Sequence, residues 1–145
     1  MFRKCRVCGK NKDLDSFPKD RNDCKKCRRV YGIEYRRRNK KLLATKWATY
    51  RRLLKKRVLD HYSNGRAKCR CCGETILAFL TLDHVKGGGN RDRKKHGEGS
   101  TFFLSLVRRK FPVGFQVLCS NCQLGKQIRK GFCPHHPRTD LRKPR

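Results

Sequence analysis

A small zinc-stabilised α+β fold is predicted by three observations. Two double sets of Cys-x2-Cys run through the chain, a short apolar segment carries Asp83-His84 inside the second set, and basic residues far outnumber acidic ones. The 145 residues suit one compact domain or two small ones. Hydrophobic residues make up 36% of the chain and ten of them are cysteines, so the apolar core is small and needs staples. Met1-Phe-Arg-Lys-Cys5 enters a cysteine cluster at once, which predicts an unsecreted cytoplasmic protein without a signal peptide. Paired cysteines in that setting point to zinc rather than disulfides.

The first module spans residues 1–30. Cys5-x2-Cys8 and Cys24-x2-Cys27 give four thiolates for one tetrahedral structural Zn²⁺. Gly9 supplies the tight turn of a zinc knuckle, and Leu14 and Phe17 are the apolar side chains available to cover it. Two roles are open to this knuckle: gripping nucleic acid through Lys10, Lys12, Lys19, Arg21, Lys25 and Lys26, or capping the helix that follows.

Residues 31–62 of the 31–64 linking segment read as one long helix. Leu43, Trp47, Tyr50, Leu54, Val58 and Tyr62 recur at steps of three or four as an apolar stripe. The other faces are basic, with only Glu34 and Asp60 opposing, which suits a helix that tracks phosphates. Asn64-Gly65 ends it. This helix also holds Leu59-Asp60-His61, a copy of Leu82-Asp83-His84. Helical neighbours point about 100° apart, so the copy is assigned to surface and packing roles.

The third segment spans residues 65–136. Cys69-x2-Cys72-Gly73 leads into a short strand at 79–85 rich in β-formers. Residues 86–100 read as a flexible basic loop whose glycines do not fit a P-loop. Ser100 or Thr101 is placed to cap a short helix, Phe115–Leu118 reads as a second strand, and a last helix runs from Ser120 toward Gly131 at its C′ position. Cys119-x2-Cys122 completes a second structural zinc set with Cys69 and Cys72. Cys133, His135 and His136 offer an incomplete ligand set for a further metal site, and Cys71 and Cys133 otherwise read as spare reduced thiols. Residues 137–145 read as a loose basic tail.

The net charge of +29, from 40 Lys+Arg against 11 Asp+Glu, calls for a polyanionic partner. No amphipathic helix with a bulky apolar face offers a membrane anchor. Nucleic acid is the expected partner. Asp83 and His84 alternate across a strand, which lets one hold a metal while the other reaches a water.

The order Cys-x2-Cys, Asp83-His84, Cys119-x2-Cys122 with a helix following resembles the zinc-containing HNH (His-Me finger, ββα-metal) endonucleases. The N-terminal module and Phe-Pro-x-Gly-Phe-Gln-Val-Leu-Cys (111–119) are similar to the bacteriophage branch of that family, with its homing-type and endonuclease VII-like enzymes. The resemblance implies a ββα-metal nuclease domain at 65–136 in a bacterial or phage-infected cell, acting on double-stranded DNA. It implies that Asp83 ligates a catalytic Mg²⁺ or Mn²⁺ that stabilises the leaving 3′-oxygen, and that His84 is the general base. Products would carry 5′-phosphate and 3′-hydroxyl ends. Asn90 matches the middle Asn of the family motif, and Gln123 stands where the family places a second metal ligand, Asn or His. Gln123 is open to two roles, ligand or capping-box partner of Ser120, with Asn121 a further oxygen donor nearby. The alternative to a nuclease is a non-catalytic zinc protein that binds DNA or RNA.

Overall fold

A computed structural model describes residues 1–142, the side chains of 136–139 excepted. The chain forms a small α+β structure in two compact units, Met1–Ala48 and a second from Thr49 onward. All ten cysteines are free thiols. No helix among the described residues is long and apolar enough to cross a membrane.

In the first unit, β1 (Phe2–Lys4) pairs antiparallel with β2 (Asn11–Asp13), Phe2 opposite Asp13. The turn between them is tied by Cys5 N–H to Lys10 O at 3.0 Å and Gly9 N–H to Cys5 O at 2.9 Å. Gly9 sits at φ +67°, a conformation glycine adopts without strain. The buried cluster is only Cys5, Phe17 and Cys24, with Cys27 against it. Phe17 covers the cysteines as expected, whereas Leu14 is 38% exposed and does not.

The helix expected at 31–62 is two helices, α1 (Lys25–Arg38) and α2 (Lys40–His61). α1 starts early because extended Cys24 stands at its N-cap, so Cys27 falls in the first turn. The break comes at Asn39, whose side-chain amide donates to Tyr35 O at 2.9 Å and competes with the helical ladder there. The apolar stripe on α2 is core only at its C-terminal end. Leu54, Val58 and the off-stripe Leu59 are buried, while Trp47 and Tyr50 are 56% and 43% exposed.

The second unit is built on a two-stranded antiparallel sheet of β3 (Leu80–His84) and β4 (Phe115–Cys119). Its register sets Leu80 opposite Cys119, Asp83 opposite Gln116 and His84 opposite Phe115. Both expected strands are present. Leu59, Leu80, Val117, Leu118 and Leu141 form the main core with four cysteines, and Val58, Phe102 and Leu106 form a second cluster.

The region 86–100 is not a loop. It holds α3 (Gly89–His96), entered through Gly88 at φ +89° and left through Gly97 at φ +84°, and then the start of α4 (Gly99–Arg108). α3 has no buried residue and so no apolar stripe to betray it. Glu98, not Ser100 or Thr101, occupies the N-cap of α4.

The last helix, α5 (Ser120–Ile128), is capped by Cys119, whose sulfur accepts from Cys122 N–H. Ser120 instead donates to Phe79 O at 3.2 Å, so the Ser120–Gln123 capping box does not form. At the other end Gly131 N–H reaches Lys126 O at 2.7 Å, a Schellman closure that puts Lys130 (φ +48°) at C′ and Gly131 one residue later. The tail is not loose. β5 (Phe132–Cys133) pairs with β6 (His136–Asp140), and Leu141 beyond it is fully buried. Residues 143–145 of the expected tail lie outside the described residues.

Because the first unit has so little apolar core, its folding should depend on its metal. Chelating zinc, or Cys24→Ser, is expected to unfold residues 1–30 and unwind the start of α1. Circular dichroism and amide exchange with and without added zinc check this; full protection of β1 and β2 in metal-free protein would contradict it.

Candidate metal centres and the Asp83–His84 cleft

Both expected four-cysteine sets converge. The sulfurs of Cys5, Cys8, Cys24 and Cys27 lie within 4.8 Å of one another, and so do those of Cys69, Cys72, Cys119 and Cys122. The two sites are built alike. Each knuckle ties its first Cys N–H to the carbonyl five residues on and its glycine N–H back to that cysteine, with Cys69 N–H to Glu74 O at 2.8 Å in the second. Each remaining pair straddles a helix N-terminus, Cys24 and Cys119 at the N-caps. Four soft thiolates in a closed set fit structural zinc and leave no open ligand position.

At the first site local donors favour thiolate at Cys5 and Cys24, while the hydrogen bond with Cys24 pushes the Cys27 thiol up to about 12. Backbone N–H groups of Cys8 and Cys24 hold the Cys5 thiol down at about 6. Cys24 is likewise lowered, chiefly by the backbone N–H of Cys27, and Lys12 Nζ donates to its sulfur at 3.4 Å. Burial drives the Cys122 thiol of the second site up, as it drives the adjoining Cys71 up to about 12. Thiols so raised are inert unless a metal takes the proton's place.

The sequence reading left Cys71 and Cys133 as spare thiols. The structure instead gathers Cys71, Cys122, Cys133 and His135 Nδ1 into a third group within 4.8 Å. The signal was present in Cys-Arg-Cys-Cys-Gly and Cys133-Pro-His135, but only the β5 turn shows that they meet.

Asp83 and His84 lie at the end of β3, beside an open cleft of ≈ 790 Å³ that Asn90, Gln123 and Lys126 also line. All four residues expected of the site therefore face one space. Asn121 is exposed and outside it. Asp83 is 7% exposed, and its Oδ2 accepts from Gln116 Nε2 at 2.8 Å and Lys126 Nζ at 2.6 Å. Lys126 Nζ also donates to the carbonyls of His84 and Val85 at 2.7 and 3.0 Å. Oδ1 of Asp83 takes no hydrogen bond among the described residues. Gln116 is fully used: its oxygen accepts from Arg70 Nη1 at 2.7 Å and its amide donates also to Leu141 O at 2.6 Å.

His84 packs against Phe115 and Phe102, ring centroids 4.6 and 5.9 Å away. Its Nε2 is 2.9 Å from Asp92 Oδ2. A carboxylate only accepts, so Nε2 carries the proton of that bond, and in the neutral ring the lone pair falls on Nδ1. Gly89 leaves Nδ1 room, since a Cβ there would stand 3.2 Å from it. A second cleft of ≈ 950 Å³ also reaches His84 and Asp92 and is lined by Arg66, Lys68, Arg70, Lys86 and Arg109. Asn90 is engaged on its own helix, its Oδ1 accepting from Arg93 Nη2 at 2.5 Å.

No family model, curated protein or solved structure matches this chain.

Three residues escaped the sequence reading. Asp92 was hidden in a segment read as loop, although it is one of only two acids between 86 and 100. Lys126 and Gln116 looked like ordinary polar residues, and nothing but the fold shows them buried at 8% and 4% exposure. The helical copy behaves as expected. Asp60 binds Lys56 at 2.6 Å and Ala67 N–H at 2.9 Å, and His61 stacks on Phe111 at 4.1 Å.

Breaking the buried Asp83–Lys126 pair from one side leaves a charge without its partner. Lys126→Met is expected to cost about 3–5 kcal/mol in urea unfolding, and adding Asp83→Asn to recover much of that loss. Equal losses for single and double variants would contradict the pairing.

Proposed function

We propose that the chain is a metal-dependent endonuclease of the HNH type that hydrolyses DNA phosphodiester bonds. The observation that carries this reading is the imidazole of His84, held by a carboxylate on one nitrogen, without a hydrogen-bond partner among the described residues on the other, and lining both a basic cleft and an acid-bearing one.

His84 acts as the general base. Asp92 orients the ring and stabilises the imidazolium once Nδ1 has taken a proton from water. Arg66, Lys86 and Arg109 along the basic cleft bind the phosphate backbone and set the scissile group against that water. Asp83 Oδ1 and the Gln123 side-chain carbonyl, which line one cleft, would be the hard oxygen donors for Mg²⁺ or Mn²⁺, an ion that takes few protein ligands and keeps several waters. Such an ion supplies charge stabilisation at the phosphate and the leaving oxygen. Release of Gln123 from a capping role supports it as a donor. The charge of +29 supplies a general attraction for DNA.

One observation favours the second reading, a zinc protein that binds nucleic acid without cutting it. Lys126 already sets an ammonium among Asp83 Oδ2 and two backbone carbonyls, where it competes with any cation at Asp83.

Nicking of supercoiled plasmid in Mg²⁺ or Mn²⁺ separates the two. Wild-type protein should nick, and His84→Ala should lower the rate by about 10²-fold or more while leaving plasmid binding intact. Binding without cleavage in either metal would establish the second reading. Gly89→Ala, which crowds Nδ1 without straining the backbone, should also slow nicking with little change in melting temperature. Unchanged nicking by Gly89→Ala would show that Nδ1 is not the reactive nitrogen.

A further inference from the structure

We infer that the second unit holds two zinc ions sharing the Cys122 thiolate, one on Cys69, Cys72 and Cys119 and the other on Cys71, Cys133 and His135. The two donor groups around Cys122 each close to within 4.8 Å, and Cys122 belongs to both. Seven donors make two tetrahedra only if one is counted twice. Cys122 is the one so placed, fully buried in the first turn of α5 between the knuckle and β5.

The distances are those of metal polyhedra. With Zn–S near 2.3 Å and Zn–N near 2.0–2.1 Å, tetrahedral edges are about 3.8 Å between sulfurs and about 3.6 Å between sulfur and nitrogen. Cys72 and Cys119 sulfurs are 3.6 Å apart, and His135 Nδ1 stands 3.2 Å from Cys122 Sγ and 3.5 Å from Cys133 Sγ. Hydrogen bonding is a poorer account of this convergence. Two thiols address one imidazole nitrogen, which has a single lone pair to offer, whereas a metal among them satisfies every donor.

The backbone is shaped for the same approach. A Cβ on Gly125 would lie 2.9 Å from Pro134 Cδ and 3.5 Å from Cys133 Sγ, so the Cys133–His135 turn presses directly on helix α5. Only glycine admits it. Six thiolates with two Zn²⁺ leave a net charge of about −2, readily carried in a chain this basic. The pair of ions would also fasten β5 and β6 to α5, and with them the Leu141 carbonyl that Gln116 binds while holding Asp83. The inference does not rest on nuclease activity.

Elemental analysis and native mass spectrometry of the full chain, loaded with zinc alone, test it. Wild-type protein is expected to carry about three zinc ions, one in the first unit and two in the second. Cys71→Ser and His135→Ala should each carry about two. Two zinc ions in the wild type, or three retained in both variants, would overturn the proposal. Cadmium-113 substitution of the wild-type chain covers the case in which a variant fails to fold. It should give three resonances, two of them coupled to each other through the shared sulfur; three uncoupled resonances would rule the bridge out.

Discussion

The convergence of Cys69, Cys72, Cys119 and Cys122 is the constraint on which the second unit depends. Cys69 and Cys72 sit on a knuckle and Cys119 ends β4 at the cap of α5, so one metal bound there would fix knuckle, sheet and helix together. The Leu80–Cys119 pairing then sets the register of β3, and the register places Asp83 against Gln116 and His84 against Phe115. A slip by one residue would exchange the two faces and put Asp83 where His84 belongs. With a main core of only a few leucines and one valine, the packing alone holds that register weakly.

The Asp83 environment shows two demands in tension. A carboxylate this buried needs partners, and Lys126 with Gln116 satisfies it. The same partners reduce what Asp83 can give to a divalent ion. Pairing through Oδ2 leaves Oδ1 as the oxygen on which the proposed metal binding turns. The neighbouring His84 has the simpler environment, one nitrogen held by Asp92 and the other without a hydrogen bond among the described residues. The chemistry proposed for it asks less of the rest of the site.

What the sequence made legible was whatever has a local spacing. Cys-x2-Cys pairs, glycine after the knuckle, the β-forming run at Asp83 and the strand before Cys119 all carry their meaning within a few residues. The elements it hid depend on distant partners. Helix α3 has no apolar face and is held by glycine ends and by Asp92 reaching His84. The C-terminal residues look polar and basic, yet Leu141 is core and β6 pairs with β5. Cys71, Cys133 and His135 are separated by some sixty residues of chain and read as incomplete fragments until the β5 turn brings them to Cys122. The stripe on α2 misled in the opposite sense: its period is regular, but only the C-terminal end meets a core.

The central claim is that metal bound by the second cysteine set holds the Asp83–His84 strand in place. Amide hydrogen exchange of residues 80–84 in zinc-loaded and metal-free chain tests it most directly. Protection of Leu80 through His84 should be strong with zinc and collapse when zinc is removed, returning on its addition. Protection that is the same in both states would show that the strand stands by its own packing and that the clamp does not position the site.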